Sequence, residues 1–125
     1  MKKIIKTQNA PAAVGPYSQA VQVNDTLYIS GQVPVDPATG KVVVGGVAEQ
    51  TARVLENIGA ILEEAGYAYG DVIKCTCLLS DMASFTAMNQ VYAKYFPKQM
   101  PARAAFAVKE LPLGALIEIE AVAVK

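Results

Sequence analysis

The chain has 125 residues, the length of one domain, and that is enough to bury a core without disulfides or metal. Its 11 basic and 11 acidic residues cancel, no Lys/Arg run forms a patch, and the pI is about 6.2, so nucleic-acid binding is not expected. Histidine is absent, which argues against a nucleophilic triad and against a zinc hydrolase.

Apolar residues make up 53% of the chain, above the ~45–50% usual for soluble domains. No run approaches the ~20 apolar residues of a membrane span, so the surplus is spread through the fold. Burial between subunits would use it. The opening Met1-Lys2-Lys3-Ile4-Ile5-Lys6 has a charged start, but its apolar run stops at Lys6, which is too short for a secretory signal. A cytoplasmic location is the expectation. Cys75 and Cys77 lie one residue apart in a strand-like run, so they share a face and cannot easily bridge. Core packing is their expected role.

In chain order, the first ten or so residues read as an arm before a turn at Gly15-Pro16. Strands are expected over 17–23 and 26–33, joined at Asn24-Asp25. Asp36-Pro37-Ala38-Thr39-Gly40 is a second turn. Val47, Thr51, Val54, Leu55, Ile58, Ile61, Leu62 and Ala65 fall on one helical face, and Gly66 stops that helix. Arg53 lies on the other face, one turn from Glu49 and from Glu56, and reads as a solvated charge. Residues 72–79 form a buried strand. Asp81 or Ser84 can cap a second helix carrying Phe85, Met88, Val91, Tyr92, Tyr95 and Phe96, which Pro97 ends. Strands at 102–108 and 116–124 complete the order β-β-α-β-α-β-β. This is an α+β pattern, one sheet with two helices on one face, in a single domain over 1–125.

With no histidine, metal cluster or phosphate loop, any reaction must rest on gripping a substrate and placing a water. Arg103 is the candidate grip, set among small and apolar neighbours in Pro101-Ala102-Arg103-Ala104-Ala105-Phe106. Its planar fork matches a carboxylate bidentately, although a structural ion pair would serve the same side chain. Glu118 and Glu120 share a strand face with Val122 and Val124. They are either solvated or half covered, and half covering would raise their proton affinity. Tyr17, Ser30 beside Gly31, and Asn89 are further polar candidates. Each taken singly is also compatible with an ordinary turn, strand or helix role.

Taken together these segments resemble the RidA family, also called YjgF-type or L-PSP proteins. The resemblance is carried by residues 10–20 (Ala10-Pro11 through Gly15-Pro16-Tyr17-Ser18-Gln19-Ala20) and by Tyr28-Ile29-Ser30-Gly31-Gln32-Val33-Pro34. Asp81 through Asn89-Gln90-Val91-Tyr92, Pro101-Ala102-Arg103-Ala104 and Ile117-Glu118-Ile119-Glu120-Ala121 extend it over nearly the whole chain. The resemblance implies a chorismate-mutase-like fold, a homotrimer with a central β-barrel, and clefts between subunits. It implies hydrolysis of 2-iminobutanoate and 2-iminopropanoate to 2-oxoacids and ammonia, with no cofactor and no metal. By position, Arg103 would hold the substrate carboxylate and Glu118 would place the attacking water. Tyr17, Ser30, Gly31, Asn89 and Ala105 would line the cleft, with Tyr17 coming from the neighbouring subunit. Ala105 stands where many bacterial relatives carry cysteine, which bears on the side-chain pocket. Two other readings are an endoribonuclease or translation inhibitor, and a non-catalytic binder of small carboxylates.

Overall fold

A computed structural model describes all of residues 1–125. Two long amphipathic segments organise it. The strand β8 (Ile117–Val124) buries Ile117, Ile119, Ala121 and Ala123 on one side and leaves Glu118, Glu120, Val122 and Val124 on the other. The helix α1 (Val47–Ala65) lays Val54, Leu55, Ile58, Ile61 and Leu62, all essentially inaccessible, onto that buried side. Gly66 closes the helix in the left-handed conformation (φ 82°), as expected of a terminating glycine.

The remaining strands are β1 (Lys2–Ile5), β2 (Ala20–Val23), β3 (Thr26–Gln32), β4 (Val35–Asp36), β5 (Lys41–Val42), β6 (Val72–Leu79) and β7 (Ala102–Ala107). The main sheet runs β1-β2-β3-β8-β6-β7, and β4-β5 form a separate small hairpin. All main-sheet pairs are antiparallel except β6 with β7. A parallel pair needs a crossover, and the second helix, α2 (Phe85–Tyr95), supplies it. Asp81 caps the short 3-10 turn that leads into α2, accepting from Ala83 N–H at 2.8 Å. Both helices cover one sheet face. The opposite face leaves Tyr28, Lys74, Ala104, Phe106 and Val124 exposed.

A glycine in mid-helix has a packing reason. A Cβ at Gly59 would overlap the hydroxyl of Tyr69, which donates to Leu55 O at 2.6 Å. Burial, with Tyr95 close by, pushes the Tyr69 phenol up to about 12, so it stays a donor.

The structure corrects several expectations. The N-terminal arm is a strand, with Ile5 buried and Ile4 exposed, paired to β2. The strand expected from Tyr17 begins only at Ala20, because residues 17–19 are bent so that Gln19 can turn inward. Its buried amide accepts from Thr7 N–H (2.7 Å) and donates to Thr7 O (3.0 Å) and Pro11 O (2.8 Å), pinning the loop that carries Tyr17. The Asp36–Gly40 turn is the loop of the β4–β5 hairpin, which the expected order lacked. Arg53, read from the sequence as a solvated charge, is half-buried. Its Nε–H donates to Asn57 Oδ1 (3.1 Å), and the Asn57 amide donates to Val33 O and Val35 O, tying α1 to the end of β3.

Candidate functional site

The parallel register sets Arg103 beside Cys75 and Ala105 beside Cys77. Both thiols are buried on the helix-covered side, so Arg103 projects toward α2 from the edge strand β7. Phe85, Asn89 and Tyr92 recur at i, i+4 and i+7, one face of α2. The guanidinium lies 5.4 Å from the Phe85 ring centre and 4.8 Å from that of Tyr92, and donates to Asn89 Oδ1 at 2.7 Å. Asn89 thus has its reason on an otherwise apolar face. Arg103 is exposed, and its hydrogen bond goes to a neutral amide, so most of its donors stay free for an anion. The two aromatic rings and the amide fix the plane of the fork without spending its charge.

Beneath this platform the thiols are inert. Burial raises the Cys75 thiol, and burial together with the adjacent Cys75 pushes Cys77 up to about 12, Arg103 offsetting only part. The Tyr92 phenol is raised well above its ordinary value, first by burial. Its hydroxyl lies against the Cys75 thiol without hydrogen-bond geometry.

A second group of residues stands elsewhere. A cavity of about 820 Å³ is lined by Tyr17, Ser30, Gly31 and Glu118, with Pro112 and Leu113 among the rest of its wall. Ser30 is held by its Oγ–H donating to Ser18 O (2.6 Å) and its N–H donating to Gln19 O (3.0 Å). The β3–β8 register shifts between Ile29 and Gln32, a bulge that carries Ser30 and Gly31. A Cβ on Gly31 would run into the Glu118 carboxylate, so the missing side chain is the space in which that carboxylate sits. Burial, and secondarily Glu120, raises the proton affinity of Glu118.

Glu118 pairs in register with Leu78 on the face away from the helices, whereas Arg103 stands on the helix side. One chain therefore keeps Arg103, Asn89 and Ala105 apart from Tyr17, Ser30, Gly31 and Glu118. The resemblance implied that Tyr17 comes from a neighbouring subunit; within one chain it shares its cavity with Ser30, Gly31 and Glu118. The sequence reading missed Phe85 and Tyr92 as partners of Arg103, although their spacing with Asn89 was a readable signal.

A mixed sheet with two helices on one face matches the fold of L-PSP-type structures. The chain resembles the Escherichia coli TdcF structure with bound serine at a TM-score of 0.94 and 41% identity, covering 98% of each chain. It is 52% identical to the 2-iminobutanoate/2-iminopropanoate deaminase of Mus musculus, over 100% of this chain and 93% of that one. A RutC family protein of Pyrococcus horikoshii is 55% identical over 100% and 99%. The sequence model of the family described as Endoribonuclease L-PSP matches residues 7–125. The chain belongs to this family, the YjgF/RidA group. No helix is long and apolar enough to cross a membrane.

Proposed function

We propose that this chain is an enzyme that hydrolyses 2-imino acids, 2-iminobutanoate and 2-iminopropanoate among them, to 2-oxoacids and ammonia. It works without a cofactor, as a cytoplasmic homotrimer of the chorismate-mutase-like type. Each cleft joins the Arg103 platform of one protomer to the Glu118 cavity of the next. The observation that carries the reading is the division of the two half-sites between opposite sheet faces, together with a guanidinium whose fork is fixed but free of any carboxylate. The bare outer sheet face, with Tyr28 and Phe106 about half exposed, supplies apolar surface for assembly. The deaminase name of relatives at about half identity supports the chemistry.

In this reaction the imine carbon is already electrophilic. Arg103 holds the substrate carboxylate through two parallel N–H donors. Glu118 accepts a hydrogen bond from a water and aims its oxygen at the imine carbon. The C–O bond forms as the C=N π pair moves to nitrogen, which takes the proton that the attacking water gives up. In the tetrahedral adduct the hydroxyl proton passes to the amine, and the C–N bond breaks to release ammonia as C=O forms. Orientation of this kind can remove several kcal/mol of barrier, about 7–11 in well-aligned systems.

The reading is tested by a coupled assay. A threonine dehydratase generates 2-aminocrotonate, and release of 2-oxobutanoate is followed with and without this protein. Acceleration is expected, and none by a verified trimer would sink the enzymatic reading. The family description also names an endoribonuclease. Salt-sensitive RNA binding and cleavage by the same preparation would favour that reading.

Two variants probe Glu118. Glu118 titrates above the ordinary glutamate range, and its carboxylate form is the one that accepts from water. The kcat of the native chain should therefore fall with decreasing pH at a midpoint above the ordinary glutamate range, and Glu118→Gln should be slow and lack that limb. The raised folded pKa means the folded state binds the extra proton, so the ionised form costs stability at neutral pH. Thermal melts should find Glu118→Gln the more stable at pH 7. The gap should close as pH falls through the raised pKa toward the ordinary one. Gly31→Ala should displace the carboxylate and lower kcat by ~100-fold, with 2-oxoacid affinity little changed. Unaltered turnover in steady-state kinetics would contradict this seating.

A further inference from the structure

Pro112–Gly114 forms a tight turn closed by Ala115 N–H donating to Pro112 O at 3.1 Å. Its two central residues, Leu113 (φ 60°, ψ 21°) and Gly114 (φ 67°), are both left-handed. This is the type I′ arrangement, whose central positions favour Gly, Asn and Asp. Glycine occupies the second position, but the first is a leucine, which is strained there. Burial offers no compensation, because Leu113 is 70% exposed while its flanks Leu111 and Ala115 are buried and anchor the turn. The fold thus holds a strained, exposed apolar side chain at one fixed place. That place is the wall of the cavity containing Ser30, Gly31 and Glu118, where Pro112 and the exposed Val14 extend the apolar surface. An outlier of this kind, at a site, is a pointer to function.

We infer that Leu113 is a specificity-determining residue: it contacts the apolar side chain of the imino acid and favours substrates longer than the three-carbon one. The inference rests on the proposed function and names the part of the substrate that this wall reads. The carboxylate goes to Arg103 and the imine carbon stands before Glu118, so the substituent on that carbon extends along the remaining wall. A three-carbon imine carries only a methyl there and does not reach the leucine. A branched aliphatic chain does.

The test uses the full chain with Leu113→Asn and Leu113→Gly, both at home in this turn, so folding is preserved and the melting temperature should hold or rise. The imines of alanine and leucine are generated by an amino-acid oxidase. The ratio of kcat/KM for the leucine-derived imine over 2-iminopropanoate should fall by ~10-fold or more, with the latter within about twofold of the native value. Equal changes for both imines, or none, overturn the assignment. So does loss of the trimer or a lowered melting temperature, which would make Leu113 a packing residue. Direct binding of pyruvate and 4-methyl-2-oxopentanoate separates this inference from the enzymatic reading. If the native chain binds the 2-oxoacids but turns over no imine, the function fails, and Leu113 still stands or falls by the shift in the ratio of the two Kd values. If neither 2-oxoacid binds the native chain, both readings fail together.

Discussion

Arg103→Ala is expected to lower kcat/KM for 2-iminobutanoate by ~100- to 1,000-fold and to weaken 2-oxoacid binding in parallel, since truncating one partner of a hydrogen-bonded charge pair costs about 2–5 kcal/mol. The loss should far exceed any effect on folding. Arg103 is exposed, and truncation removes only stacking over Phe85 and Tyr92 and the bond to Asn89. Arg103→Lys should recover charge without the bidentate fork and fall between the two. Steady-state kinetics beside thermal melts check this. A native kcat/KM in the alanine variant would remove the carboxylate grip from the mechanism. Asn89→Ala should act more mildly, by releasing the plane of the guanidinium rather than its charge.

The second large effect comes from mixing two dead chains. In the proposed trimer, Arg103→Ala and Glu118→Gln chains should each be nearly inactive alone, yet chains mixed through refolding or co-expression should regain activity. A cleft that takes Arg103 from one protomer and Glu118 from the next is intact in about one quarter of random neighbour pairs in a closed ring. Recovery near a quarter of native activity is the expected result, with native KM in the recovered fraction. No recovery in verified mixed trimers would put both residues to work within one protomer, against the division of the sheet faces. The measurement separates geometry from chemistry, because each parent supplies every residue the other lacks.

The long elements were legible because their patterns are long. The α1 face repeats its apolar positions over five turns, and residues 72–79 form a strand over the predicted span. The strand β1 has four residues and β4 and β5 have two each, too few for a period, and only their partners make them strands. The inward turn of Gln19 was invisible for a similar reason, since its hydrogen bonds reach back to Thr7 and Pro11. Alternation along β8 did place Glu118 on the face opposite Ile117 and Ile119. That Arg103 stands on the other face follows only from the parallel pairing of β6 with β7, a fact about register rather than composition. The left-handed Leu113 carried no cue, because leucine is not a residue that announces such a turn.

The bare sheet face has a consequence for how such an enzyme responds to its own concentration. If neither half-site works alone, a dissociated protomer is not a weaker catalyst but none at all. Dilution then removes clefts as protomers leave the ring, and each departing protomer takes two of them. The rate per chain would fall steeply below the assembly threshold, and the apparent KM would rise as binding had to drive assembly. Abundance would then set whether the activity exists, and a substrate that bridges two protomers would favour their assembly.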